Sequence, residues 1–409
     1  MQNPEIILIS ITGVDRPGIT TALTEVLGRH NAKILDIGQA NIHRSLSLAI
    51  IFQSEGESSG NILKEILFKA NAINVTVRFS TLSKEEYSDW VQLQGKNRYI
   101  VHILGRELEA SQISRVCEVL LEFKLNIERI IRLTHRIPLE KNTDRTCFEF
   151  AVRGNLHKIR DIQKRFLALS SELNIDIAFQ EENAYRRMRR LICFDMDSTL
   201  IQTEVIDELA ERAGVGEQVR AITESAMNGE IDFSESFKRR VGLLKGLDES
   251  VMREIAENLP ITEGLERLLK ILKQSGFKTA ILSGGFTYFG NYLQEKFGFD
   301  YVFANNLEIK NGKLTGKHLG EIVDGKKKAK YLEMLAKQED IDIQQTVAVG
   351  DGANDLPMLS VAGLGVAFHA KPKVKETANH SLSTVGLDGI LYFLGYKDSA
   401  DQTEMMNIS

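Results

Sequence analysis

Cysteine is scarce in this chain: Cys117, Cys147 and Cys193 are the only three among 409 residues. They are scattered and odd in number, so no disulfide framework and no metal-ligand spacing is visible, and a reducing compartment is expected. Long apolar runs are missing as well. None approaches the roughly 18 residues of a membrane-spanning helix, and no membrane partner is expected. A basic excess is also lacking: 51 Lys and Arg stand against 56 Asp and Glu, a net charge of -5, which argues against a general nucleic-acid binder. The opening residues Met1-Gln2-Asn3-Pro4-Glu5 carry neither the basic nor the apolar region of a secretory leader. A cytoplasmic location is the expectation.

The hydrophobic share of 43% and charged share of 26% are those of an ordinary globular protein, and the length calls for two or three domains. From Glu5 to Leu82 the patterns run strand, helix, strand, strand, helix, strand, the βαββαβ order of ferredoxin-like folds. The same order returns between Tyr99 and Phe179, after a polar interval at Ser83 to Lys96, and is read as an internal repeat. Expected boundaries are 1–82 and 97–182 for the two units, 188–395 for an α/β domain, and 396–409 for a flexible tail. Tyr185-Arg186-Arg187-Met188-Arg189-Arg190 reads as a solvated basic linker.

In the first unit Pro17 fixes a turn, Gly18 permits close backbone approach, and the following helix offers free N–H groups to a carboxylate. The stretch Gly13-Val14-Asp15-Arg16-Pro17-Gly18-Ile19 resembles the ligand loop of ACT domains, which are amino-acid-sensing modules. That resemblance implies a regulatory ligand, L-serine or another small amino acid, near Asp15 and Gly18. The second unit has Leu104-Gly105-Arg106-Glu107-Leu108-Glu109 at the matching place and lacks the Asp-Arg-Pro-Gly run. Both units are also compatible with a purely dimerising role, and a homodimer is expected.

The third region opens on Leu191-Ile192-Cys193-Phe194, an apolar run suited to a strand buried on both faces. It ends in Asp195 and Asp197, where ligands of parallel sheets collect. Two such close carboxylates need a cation or a shared proton between them, and they can then divide nucleophilic and acid–base work. Three more polar segments follow later strands: Ser283-Gly284-Gly285, Lys326-Lys327-Lys328, and Gly350-Asp351-Gly352-Ala353-Asn354-Asp355. Each alone has a dull explanation as a turn or solvated run. Together and in this order they resemble the four motifs of the haloacid dehalogenase-like phosphatases.

The resemblance implies a Rossmann-like parallel sheet with a small helical cap at about 203–260. Asp195 would be the nucleophile and Asp197 the acid and base. Mg2+ would be held by Asp195, the main-chain carbonyl of Asp197 and Asp351. Ser283, Gly284, Lys328 and Asn354 would hold the substrate, with Asp355 behind them. Physics alone does not separate Lys326, Lys327 and Lys328.

Within the cap, Glu204, Met227, Phe233 and Arg240 suit a clamp for a small zwitterion, since Arg grips carboxylates with two hydrogen bonds. Their spacing from Asp195 resembles that of the phosphoserine phosphatases. This implies hydrolysis of O-phospho-L-serine, the last step of serine biosynthesis. Two rivals stand beside that reading: the same chemistry on another small phosphomonoester, and an amino-acid-sensing regulator with a vestigial phosphatase half.

Overall fold

Alternation of apolar and polar residues buries Ile7, Ile9 and Ile11 along one face of β1 (Glu5–Val14). The computed structural model describes residues 4–93, 95, 97–138, 140, 144–227, 230–378 and 380–398. The chain divides into two units, Met1–Lys96 and Asn97–Ser409. In the first, β1 joins β2 (Lys33–Ile42), β3 (Ser45–Ser54) and β4 (Val75–Leu82) in an antiparallel sheet of order β2-β3-β1-β4. Helices Ile19–Arg29 and Gly56–Ala72 close one face, with Leu23, Val26, Leu27, Ile62 and Ile66 packed on the β1 isoleucines. The edge strand β2 leaves Ile34, Ile37 and Ile42 exposed. The interval after β4, expected as a polar spacer, holds a helix at Lys84–Leu93. Its start is a reciprocal capping box: Glu86 N–H donates to Ser83 Oγ, and Ser83 N–H donates to the Glu86 carboxylate.

The second unit begins with β5 (Arg98–Gly105), β6 (Asn126–Arg132), β7 (Thr146–Arg153) and β8 (Asp176–Glu181), in the order β6-β7-β5-β8. Helices Ala110–Glu122 and Ile159–Leu173 cover one face. The other face is also buried. Leu104, Leu133, Cys147 and Ala178 share one hydrophobic core with Phe194, Leu387 and Phe393 of the following domain. The carboxylate of Asp176 accepts the N–H groups of Ser383 and Thr384 at 2.7 and 2.8 Å, and Arg106 grips Glu263 with two hydrogen bonds. This repeat is therefore built into the α/β region and is not a free module.

The large sheet contains β9 (Leu191–Phe194), β10 (Lys278–Phe286), β11 (Tyr301–Lys310), β12 (Lys313–Leu319), β13 (Thr346–Gly350), β14 (Leu364–Phe368) and β15 (His380–Leu382), in the order β12-β11-β10-β9-β13-β14-β15. β9 lies at the centre, fully buried, with parallel partners on both sides. The sheet is not wholly parallel, because β12 returns antiparallel to β11. Asn311 and Gly312 make that turn, both at positive φ, as a two-residue hairpin requires. Between β9 and β10 lie an insertion of helices Val205–Arg212, Gly216–Met227, Phe233–Leu243 and Ser250–Glu257, and then the helix Leu265–Gln274 that leads into β10. Backbone hydrogen bonds from Gly246 and Glu249 to Leu314 and Gly312 tie this insertion to the β11–β12 hairpin.

Two surface expectations fail. The basic stretch before β9 is not a solvated linker, since Arg186 and Arg189 are buried. Tyr396–Asp398 is not loose tail: Asp398 pairs with Arg267 at 2.5 Å and accepts from the Tyr392 hydroxyl. Residues 399–409 lie outside the described residues. Among the described residues no helix is long and apolar enough to cross a membrane.

Candidate active site

β9 stops at Phe194, and the chain winds tightly around the Met196 carbonyl, which accepts N–H groups from Thr199, Leu200 and Ile201. Ser198 closes the turn at φ 55, a strained conformation for a residue with a side chain. The turn holds Asp195 and Asp197 at the carboxyl end of the central strand, both buried. The ends of β10 and β13 bring Ser283 and Asp351 to the same edge.

Of the three lysines it is Lys328, in the helix Gly325–Gln338, that reaches Asp195. Its Nζ lies 2.8 Å from Asp195 Oδ1 and 2.7 Å from Asp355 Oδ1, with no solvent exposure. Lys327 pairs with Glu321 instead. Burial alone would lower the Lys328 pKa, but Asp195 and Asp355 outweigh it and raise it. The other Asp355 oxygen accepts the Gly352 N–H at 3.0 Å, so the buried side chain is held at both ends.

Carboxylate oxygens of Asp195, Asp351 and Asp355 lie within 4.8 Å of one another, a grouping able to hold a cation. Asp355 thus stands in the cluster as well as behind it. Asp197, expected to contribute its main-chain carbonyl, is not among these side chains. Burial, then Asp355 and Glu204, push Asp351 up to about 7. Asp195 is raised by burial and by Asp355, against Lys328. Hard oxygen donors crowded this way fit a divalent ion such as Mg2+.

Asp197 is also raised, first by burial and then by Glu204, while the Val205 N–H bonds its Oδ1 at 3.1 Å. Gly285 passes so close that a Cβ there would stand 2.4 Å from Asp197 Oδ2. The Ser283 hydroxyl oxygen accepts the Gly285 N–H at 2.8 Å, which leaves its proton free to donate outward.

Glu204 immediately precedes the helix Val205–Arg212, and its carboxylate accepts the Ser198 hydroxyl at 2.9 Å. Burial lowers the Arg240 pKa, with Glu204, Asp207 and Asp197 opposing, and its buried Nε has no hydrogen-bond partner among the described residues. Phe233 lies over the glycine loop, its Cζ 3.0 Å from where a Gly284 Cβ would be. The backbone of Asn354 packs against Gly325, at the start of the Lys328 helix. The Met227 side chain lies outside the described residues.

Two contributors were not anticipated. Asn305, at the end of the apolar part of β11, donates to the Gly284 carbonyl at 2.8 Å and accepts the Val323 N–H at 2.8 Å. It joins the glycine loop to the segment leading to Lys328. Thr199 points its hydroxyl at Asp351, 3.4 Å away. The only sequence signal for either is a polar residue just past an apolar strand.

In the first unit Asp15 and Gly18 line a cavity of about 340 Å³ together with Thr20, Gln39 and Asn41. Asn41 donates to Asp15 at 2.6 Å, and Gly18 precedes the helix at φ 94 with open space beside it.

A site of three strand-end segments and the first turns of one helix on such a sheet defines a class. Residues 192–360 match the haloacid dehalogenase-like hydrolase family and residues 5–80 the ACT domain family. Over 95% of its length the chain is 38% identical to the phosphoserine phosphatase SerB2 of Mycobacterium tuberculosis, covering 93% of that protein. A phosphoserine phosphatase of Streptomyces coelicolor is 37% identical over 95% of the chain and 92% of its own length. Among solved structures, a probable phosphoserine phosphatase from Vibrio cholerae superposes with a TM-score of 0.57 at 36% identity, over 76% of this chain and 89% of that one. The chain belongs to the phosphoserine phosphatase family of haloacid dehalogenase-like hydrolases, with an ACT domain at its front.

Proposed function

We propose that the protein hydrolyses O-phospho-L-serine to L-serine and phosphate through an aspartyl phosphate on Asp195. The buried Asp195–Lys328–Asp355 cluster beside Asp197 carries this reading. Asp195 attacks phosphorus and the bond to the serine oxygen breaks. Asp197, whose raised pKa favours the protonated form, gives its proton to the departing oxygen. It then takes a proton from the water that cleaves the acyl phosphate, releasing phosphate and restoring Asp195.

The Ser283 hydroxyl and Gly284 N–H donate to phosphoryl oxygens, Lys328 neutralises the charge that Asp195 and the phosphoryl group share, and Asp355 holds Lys328. Mg2+ held by Asp195, Asp351 and the Asp197 carbonyl would supply charge neutralisation at the same oxygens.

Specificity rests on the cap. Arg240 has an unpartnered buried Nε to offer the substrate carboxylate, and Glu204 offers the ammonium a counter-charge. Phe233 roofs the glycine loop. The Asp15–Gly18 cavity binds L-serine or a similar amino acid as a regulator, and the exposed isoleucines of β2 support pairing of two chains.

The test is turnover with Mg2+ on O-phospho-L-serine beside phosphoglycolate and sugar phosphates. A clear preference for O-phospho-L-serine is expected. Equal or better rates on the others would transfer the assignment to another phosphomonoester, and no turnover on any would favour the regulator.

A further inference from the structure

The arginine-rich stretch before β9 encloses a cavity of about 130 Å³ lined by Arg186, Arg187, Arg189 and Arg190, with Phe277 and Tyr396 among its other walls. Among the described residues no acidic side chain lines it. The cavity sits at the amino end of the sheet: Arg190 N–H donates to Gln345, and its carbonyl accepts from Lys278, the first residue of β10. The catalytic carboxylates stand at the opposite end of β9.

Charge is unbalanced here. Arg186 and Arg187 have counter-charges, Glu149 at 2.7 Å and Glu182 at 3.4 Å. Arg189 is 6% exposed and makes a single side-chain hydrogen bond, to the neutral Gln180 carbonyl at 3.1 Å. Its Nε and Nη1 are buried without partners, as is the Arg186 Nε. Among the described residues no carboxylate forms an ion pair with Arg189 or Arg190. Burial, and then the neighbouring Arg186 charge, lower the Arg189 pKa to about 10, with no acid opposing them. A buried guanidinium without a counter-charge is costly unless something supplies one.

We propose that this cavity binds a small phosphate-class oxyanion, inorganic phosphate or a small phosphomonoester, between Arg189, Arg190 and the flanking Arg186 and Arg187. The planar fork of Arg matches two oxygens of a tetrahedral anion. The volume suits one such group and not a nucleotide. Arg189 also borders a neighbouring cavity, but Glu181 lines that one and disfavours an anion there. The site is independent of the reaction proposed above, since none of its residues lies among the catalytic segments.

Calorimetric titration of the full chain with inorganic phosphate tests it, in metal-free buffer with chloride balancing ionic strength. Phosphate binding should survive Ser283→Ala and weaken at least about ten-fold in Arg189→Met. Turnover of Arg189→Met with Mg2+ should stay within about two-fold of the parent, which also shows that the variant folds. Arg190→Gln, an exposed position, gives a second reading and should weaken phosphate several-fold. Binding lost in Ser283→Ala but unchanged in both arginine variants would assign the phosphate to the catalytic site and overturn the proposal. So would the absence of any phosphate binding beyond that of chloride.

Discussion

Lys328 Nζ and Asp195 Oδ1 stand 2.8 Å apart across 133 positions of sequence, both buried. Removing the ammonium leaves Asp195 and Asp355 facing each other in a poorly solvated site. Lys328→Ala should lower turnover by at least about a hundred-fold and cost about 3–5 kcal/mol of stability, as breaking a buried pair does. Steady-state kinetics and urea unfolding measure the two effects. A stable variant with near-parental turnover would remove Lys328 from the mechanism.

The two strand-end aspartates should separate by kinetics. Asp195→Asn is expected to abolish turnover with the fold intact. Asp197→Asn should slow both formation and hydrolysis of the intermediate by about 10²–10⁴-fold. Single-turnover measurements distinguish them, and an unchanged pH–rate profile in Asp197→Asn would reduce that residue to a structural role.

Arg240→Ala should harm O-phospho-L-serine far more than p-nitrophenyl phosphate, which has no carboxylate. Loss of a charge-assisted hydrogen bond corresponds to about 1.5–3 kcal/mol in kcat/KM. Equal losses on both substrates would mean that Arg240 serves phosphate binding or folding.

Metal binding should be coupled to protons. In the metal-free protein Asp351 holds its proton up to about 7, while an unfolded chain releases it near the usual aspartate value. The folded pKa is the raised one, so its stabilising contribution is complete below about pH 4 and is lost as pH rises toward 7. A divalent cation requires the ionised form, so Mg2+ affinity should fall up to about ten-fold per pH unit below 7. Calorimetry in buffers of different ionisation enthalpy should record proton release. Binding with no proton release between pH 5.5 and 7 would contradict this.

Regulation is best tested by where the chain is cut. A chain starting at Asn97 should keep turnover and lose whatever serine inhibition is not competitive. A chain starting at Arg186 strips β5 and β8 from a shared core and should unfold or aggregate. Allostery requires a second site with state-dependent affinity. If the full chain shows only competitive inhibition and binds one serine, the first unit has no sensing role.

The sequence by itself determined what depends on neighbours along the chain. Strand period, the apolar β9 run ending in two carboxylates, the glycine turns and the order of segments are local patterns, and they were legible. The Ser83–Glu86 capping box and the Asn311-Gly312 turn were equally local, yet a polar surrounding hid the helix and hairpin they start. What tertiary structure alone decided are pairings across long separations. No periodicity chooses Lys328 over Lys327, marks Asn305 as the bridge between two loops, or tells a buried Arg189 from a solvated one. The same holds for β5 and β7, whose second faces are covered in part by residues more than 200 positions away, such as Leu387 and Phe393. Local propensity reports on a residue's own backbone, whereas burial and partner identity depend on which distant element packs against it.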